Sequence, residues 1–138
     1  MKILLTTTTA LFALAAPAFA DSDAAEGEKD YKKCKSCHMI VAPDGTEIQK
    51  GGKTGPNLYG VIGRVAGSEE GFKYDKGLQD ANAAGFVWTE EAMAAYVADP
   101  KAWLGEQGWT AKTKMTFKLK DGGDDVAAYL ASVAPAAE

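Results

Sequence analysis

The residues of this chain best suited to chemistry lie within five consecutive positions, Cys34-Lys35-Ser36-Cys37-His38. Two thiols one helical turn apart can each add to a vinyl group of the same porphyrin, forming two thioethers. The imidazole beside the second thiol is then held under the iron as its proximal ligand. C-x-x-C-H is the attachment pattern of a covalently bound c-type haem. Cys34 and Cys37 are the only cysteines and His38 is the only histidine, so no second constellation competes for them.

Other chemistries fit these residues less well. A structural zinc site takes four Cys, His or carboxylate ligands, usually as two separated pairs, and here there is one pair. A thioredoxin-like dithiol follows a strand in a βαβ unit. The run Glu26-Gly27-Glu28-Lys29-Asp30-Tyr31-Lys32-Lys33 reads instead as a charged helix. A plain disulfide would leave His38 unexplained.

The second axial position of the iron separates two classes of protein. An electron carrier fills it, whereas a peroxidase-like or gas-binding cytochrome leaves it open or labile. A single histidine excludes bis-histidine ligation. Methionine is the natural alternative, because its soft thioether raises the reduction potential. Three methionines lie beyond residue 20. Met39 adjoins His38 and cannot reach the opposite face of the same iron. Met93 shares a helix face with Tyr96 and Val97 and reads as core. Met115, in the interhelical run Ala111–Phe117, is the best-placed candidate, although a methionine beside Phe117 would also suit a core position.

The elements that must position these groups are helices and long loops. Residues 1–20 read as a secretory leader: Lys2, an apolar run through Leu14, and the Ala18-Phe19-Ala20 cleavage site. The run is short and interrupted by Thr6 to Thr9, which argues against a membrane anchor. Cleavage leaves a single domain, 21–138, with a formal charge one unit more negative than the −4 of the full chain. Covalent haem attachment is completed outside the cytoplasm in bacteria, so leader and motif together point to the periplasm. A haem also gives a short chain a large apolar body around which to close a core.

Asp23-Ala24-Ala25-Glu26 predicts a capping box opening a helix that runs into Cys34. Thr89 predicts the cap of a second helix ending at Asp99, with Glu90 and Glu91 meeting its dipole. A third helix starts near Asp124, with Val126, Tyr129, Leu130 and Val133 on one face. Shorter helical pieces are expected at 101–104 and around 74–81. No alternating strand pattern is sustained, the stretch from Gly45 to Gly67 is glycine-rich, and the tail from about 134 is expected to fray. Loops this long argue against a compact fold unless they wrap a prosthetic group. The fold class predicted is all-α.

The order of motifs resembles class I cytochromes c, in particular their periplasmic cytochrome c2 branch. The resemblance rests on C-x-x-C-H near the mature N-terminus, Thr54-Gly55-Pro56-Asn57-Leu58-Tyr59-Gly60, Gly63-Arg64, Trp88, Thr113-Lys114-Met115-Thr116-Phe117 and the Tyr129-Leu130 helix. It covers essentially the whole mature chain. It implies the class I fold, helices and long loops around one covalently attached haem c, with Met115 as the axial methionine. It further implies that Pro56 accepts a hydrogen bond from the haem histidine. Arg64, Trp88 and Tyr74 are implied to hold a haem propionate, with Thr113 a hydroxyl on that side and Tyr96 close to the methionine sulfur. Gly27, Tyr31 and Tyr129 correspond to the crossing of the terminal helices. Two stretches depart from mitochondrial cytochrome c by insertion, 42–47 and around 105–109.

Net charge alone would mislead about partners. Lys32, Lys33 and Lys35 flank the cysteines, Lys112, Lys114, Lys118 and Lys120 surround Met115, and Lys53 lies between, while the acids cluster at 21–30, 69–70 and 121–125. The expectation is a positive ring around an exposed haem edge, steering the molecule to acidic docking patches. The resemblance implies a monomeric, soluble electron carrier, not an enzyme. Its implied donor is a bc1-type quinol–cytochrome c oxidoreductase, and its acceptor a photosynthetic reaction centre or cytochrome oxidase. Neither nucleic acid nor membrane insertion is expected.

Overall fold

The computed structural model describes residues 21–134. The expected leader at 1–20 and most of the tail expected to fray therefore lie outside the described residues. Five α-helices and one small hairpin make up the fold: α1 (Ala24–Asp30), β1 (Ile40–Val41), β2 (Glu47–Gln49), α2 (Lys76–Ala83), α3 (Glu90–Ala98), α4 (Pro100–Glu106) and α5 (Gly123–Ser132). A 3-10 turn, Tyr31–Lys33, carries the end of α1 directly into Cys34.

Local signals place most of the helix ends. Asp23 caps α1, its carboxylate accepting from the amides of Ala25 (2.8 Å) and Glu26 (3.3 Å). The expected reciprocal limb of the capping box is not made. The Asp23 amide donates to Asp125 Oδ1 (2.7 Å), and Glu26 pairs with Lys29 instead. A tertiary contact has replaced a local one, tying the start of α1 to α5. Thr89 caps α3 through the Ala92 amide (3.1 Å), and Asp99 both ends α3 and caps α4, whose first residue is Pro100.

Helices of seven to ten residues are too short to hold on propensity alone, so packing must hold them. α1 crosses α5 at Gly27, where a Cβ would lie 1.9 Å from the Asp125 carbonyl oxygen and 2.9 Å from Tyr129 Cβ. Only glycine allows this approach. Tyr31 and Tyr129 pack beside it, ring centroids 5.7 Å apart. Gln49 Nε2 donates to the Tyr129 hydroxyl (2.8 Å), whereas the buried Tyr31 hydroxyl has no partner among the described residues. α3 packs against α5, and Ile40, Leu104, Val126 and Leu130 are fully buried.

The hairpin is the one regular element the sequence pattern does not reveal. β1 and β2 are antiparallel, pairing Ile40 with Gln49 and Val41 with Glu47 across an irregular register. The inserted stretch is its turn, closed by Ala42 N to Thr46 O (2.9 Å), with Gly45 at φ +89°. Strands of two and three residues are too short to show a period of two. A second, irregular pairing joins 63–66 to 86–88, through Trp88 N to Arg64 O (2.9 Å) and Ala66 N to Phe86 O (2.7 Å). No helix among the described residues is long and apolar enough to cross a membrane.

Candidate haem site

The helical turn predicted at the cysteines is present. Amides of Cys37 and His38 donate to the Cys34 carbonyl (3.2 and 2.9 Å), so both thiols and the imidazole project from one turn. The thiols are not paired with each other. Burial pushes the Cys34 thiol up to about 11, whereas hydrogen bonds from Thr54 and Ser36 draw the exposed Cys37 thiol below its usual value.

The His38 ring is fixed from two directions. Its Nδ1–H donates to the Pro56 carbonyl (2.8 Å), which leaves the Nε2 lone pair free to bind a metal. Gly55 lies flat against the ring, since a Cβ there would sit 2.4 Å from His38 Cε1. Burial lowers the His38 pKa, the Pro56 contact opposing it only in part, so the ring is held neutral. Behind it, a Cβ at Gly51 would fall 1.7 Å from the His38 carbonyl oxygen, and one at Gly52 2.1 Å from the Ser36 oxygen. These three glycines belong to the site. The sequence marked their stretch as a loop but gave no signal of what presses on it.

A cavity of about 360 Å³ opens onto this turn. Its wall brings together Cys34, Cys37 and His38 on one side and Thr113, Lys114, Met115 and Phe117 on another, with Pro56, Arg64, Tyr74, Trp88 and Tyr96 between. Thr113 Oγ1 accepts from the Met115 amide (3.2 Å) and shares a hydrogen bond with the Tyr96 hydroxyl (3.0 Å), so that hydroxyl braces the methionine segment. Met93, read as core, is buried on α3 but also reaches the wall.

Arg64 is more occupied than expected. It donates to the carbonyls of Tyr59 and Asn57 (both 3.1 Å) and pairs with Glu69 at 2.7 Å. Nothing in the sequence singled out Glu69. Tyr74 accepts from the Glu69 amide (3.2 Å), which leaves its own proton free for an acceptor in the cavity. Trp88 stands on the same wall.

The lysines divide. Lys33 and Lys114 stand on the cavity wall, whereas Lys32, Lys35, Lys53, Lys112, Lys118 and Lys120 lie off it. Three carry carboxylates from outside the lysine-rich segments: Lys33 with Asp30 (2.7 Å), Lys112 with Asp75 (3.6 Å) and Lys118 with Asp99 (2.7 Å). The expected separation of acids from lysines is thus less complete than the linear sequence indicates. Lys114 bonds the Lys73 carbonyl and lies over the Phe72 ring.

The donor set fits a haem. Two thiols at one edge, a neutral imidazole presenting Nε2, a thioether sulfur on the same wall, and the Tyr74 hydroxyl and Trp88 indole beside them match its vinyls, iron and carboxylates. Fold and site together define a class I c-type cytochrome. The comparisons agree. Cytochrome c2 of Rhodobacter capsulatus is 62% identical over 136 residues, covering 96% of this chain and 98% of that protein. Cytochrome c-550 of Paracoccus denitrificans is 54% identical over 142 residues, 98% of this chain and 90% of that protein. The X-ray structure of ferric cytochrome c-550 from Paracoccus versutus superposes with a TM-score of 0.78 at 55% identity, over 83% of this chain and all of that one. No protein-family model matches the chain. The chain belongs to the cytochrome c2 family. It is an electron-transfer protein bearing one covalently bound haem c.

Proposed function

We propose that this chain is a periplasmic one-electron shuttle, taking electrons from a bc1-type quinol–cytochrome c oxidoreductase and delivering them to a photosynthetic reaction centre or terminal oxidase. The observation that carries this reading is the single cavity wall shared by Cys34, Cys37, His38 and Met115. The bound haem supplies the one-electron Fe(III)/Fe(II) couple. In this reading Cys34 and Cys37 would tether it as thioethers, while His38 Nε2 and the Met115 sulfur would bind its iron. Pro56 keeps the proton on Nδ1, so that the other nitrogen stays available. Arg64, Tyr74 and Trp88 take the haem carboxylates, which need such donors to remain ionised away from water. Thr113 and Tyr96 steady the methionine segment. Residues 1–20 act as the leader that exports the chain.

Docking falls at the cavity mouth, where Phe117 is 44% exposed and Lys33 and Lys114 approach from the two ligand segments. Such encounters bury little area and rely on charge for speed. The test is rapid mixing of the reduced protein with the isolated acceptor complex across ionic strength. Native protein should react fastest at low salt, and Lys114→Glu should slow it there most. Rates indifferent to salt and to Lys114→Glu contradict lysine docking. Ready binding of carbon monoxide by the native reduced protein contradicts the closed carrier and supports a gas-binding or peroxidase-like cytochrome.

A further inference from the structure

Between Thr113 and Lys118 no backbone–backbone hydrogen bond holds the methionine segment among the described residues. Side chains alone hold it there, through Thr113 to Tyr96, Lys114 to the Lys73 carbonyl and Lys118 to Asp99, so its backbone is fixed by what grips its ends. At the far end the Leu119 amide donates to the Val97 carbonyl (2.8 Å), tying the segment to α3. At the near end the grip comes from α2. Asp80 Oδ2 accepts both the amide (3.1 Å) and the hydroxyl (2.6 Å) of Thr110, thirty residues away, while its other oxygen is held by Lys76. The next contact follows at once. Lys112 N donates to Thr110 O (2.7 Å), and Gly77 N donates to Lys112 O (3.0 Å). No side chain fits at Gly77, where a Cβ would lie 2.5 Å from the Thr110 oxygen.

We propose that Asp80 is a positioning residue for Met115. By clamping Thr110 to α2 it anchors the start of the methionine segment and keeps the sulfur seated. This rests on the assignment of Met115 as an axial ligand made above. It also gives the insertion around 105–109 a purpose, since that stretch delivers Thr110 to Asp80 and seats Trp109 against Trp103 (centroids 5.7 Å). Lys76 and the two Thr110 bonds hold the Asp80 carboxyl at about 2, so the clamp remains an anion at neutral pH.

An added ligand can bind the iron only in the fraction of molecules whose methionine has swung away, so its apparent affinity reads that fraction. The experiment titrates oxidised holoprotein with imidazole, followed by the Soret shift, alongside guanidinium unfolding. Loss of two hydrogen bonds in Asp80→Ala should raise imidazole affinity about tenfold. Thr110→Val removes only the hydroxyl limb and should raise it about threefold. Asp80→Asn keeps an acceptor oxygen and should restore most of the native value. Native affinity in both Asp80→Ala and Thr110→Val overturns the clamp, whatever happens to stability. Should Asp80→Ala not fold, Thr110→Val decides alone. Met115→Ala is the reference. A rise there with none in the clamp variants overturns the clamp only, whereas no rise in Met115→Ala overturns the ligand assignment and the clamp with it.

Discussion

His38 and Met115 face the same cavity from segments held in opposite ways. The His38 turn is gripped along its length. Its amide bonds inside the turn, its Nδ1 bonds the Pro56 carbonyl, and the chain at Gly51, Gly52 and Gly55 presses on it too closely to admit a Cβ. The Met115 segment has backbone bonds to the rest of the fold only at Lys112 and Leu119, and is otherwise held through side chains, by Asp80 at Thr110 and through those of Thr113, Lys114 and Lys118, with Phe117 half exposed. Backbone contacts cannot rotate away, whereas side-chain anchors can yield one at a time. The same binding site therefore has one side built to stay and one built to give.

The largest effect should come from crowding the rigid side. Gly51→Ala places a methyl on the His38 carbonyl. It should cost about 3 kcal/mol or more, read as a collapse in haem-loaded yield by pyridine haemochrome and in the guanidinium midpoint. An equally small change on the other side, Thr116→Ala, should leave both near native. Equal tolerance at the two positions breaks the comparison.

Behind the histidine turn, the Gln49–Tyr129 bond is the next test. Tyr129→Phe strands a buried amide and should cost about 1–3 kcal/mol in guanidinium unfolding. Tyr31→Phe removes a hydroxyl that has no partner, so the midpoint should hold or rise. On the methionine side, Thr113→Val unhooks the Met115 amide and the Tyr96 hydroxyl together. Stability should fall by about 1–3 kcal/mol, while the reduced protein gains measurable carbon monoxide binding. A large stability loss without new ligand binding would mean that the methionine side is as rigid as the other.

The smallest effect concerns acid. Asp80 sits lower in the folded protein, at about 2, than an unfolded aspartate at about 3.9. Its contribution is fully present above the unfolded value and fades as pH falls toward 2. The difference in unfolding midpoint between native protein and Asp80→Asn should therefore be constant from pH 7 to 5 and shrink below 4.

What could be read in advance follows the same division between local and distant contacts. Helix caps at Asp23 and Thr89, the end of α3 at Asp99, the C-x-x-C-H turn and the Tyr129-Leu130 helix are local, and each is where the residues indicate. Met115 by position suits an axial ligand and a core residue alike, and only the order of motifs separates the two. The contacts that escaped are long-range or short in extent. The hairpin at 40–49 is too brief for a pattern, and Asp80 meets Thr110 only through the fold. Asp75 and Asp99 reach lysines from other segments, while Glu69 meets Arg64 five residues away without any helical spacing to announce it.

The central claim is that the Met115 sulfur and His38 Nε2 share the iron. The most direct measurement is the weak red-to-near-infrared absorbance of the oxidised holoprotein, which arises from sulfur-to-iron charge transfer, compared between native protein and Met115→Ala. The band should be present in the native protein and abolished in the variant, with His38 ligation unchanged. A native protein without the band, or a band that survives Met115→Ala, would contradict the account.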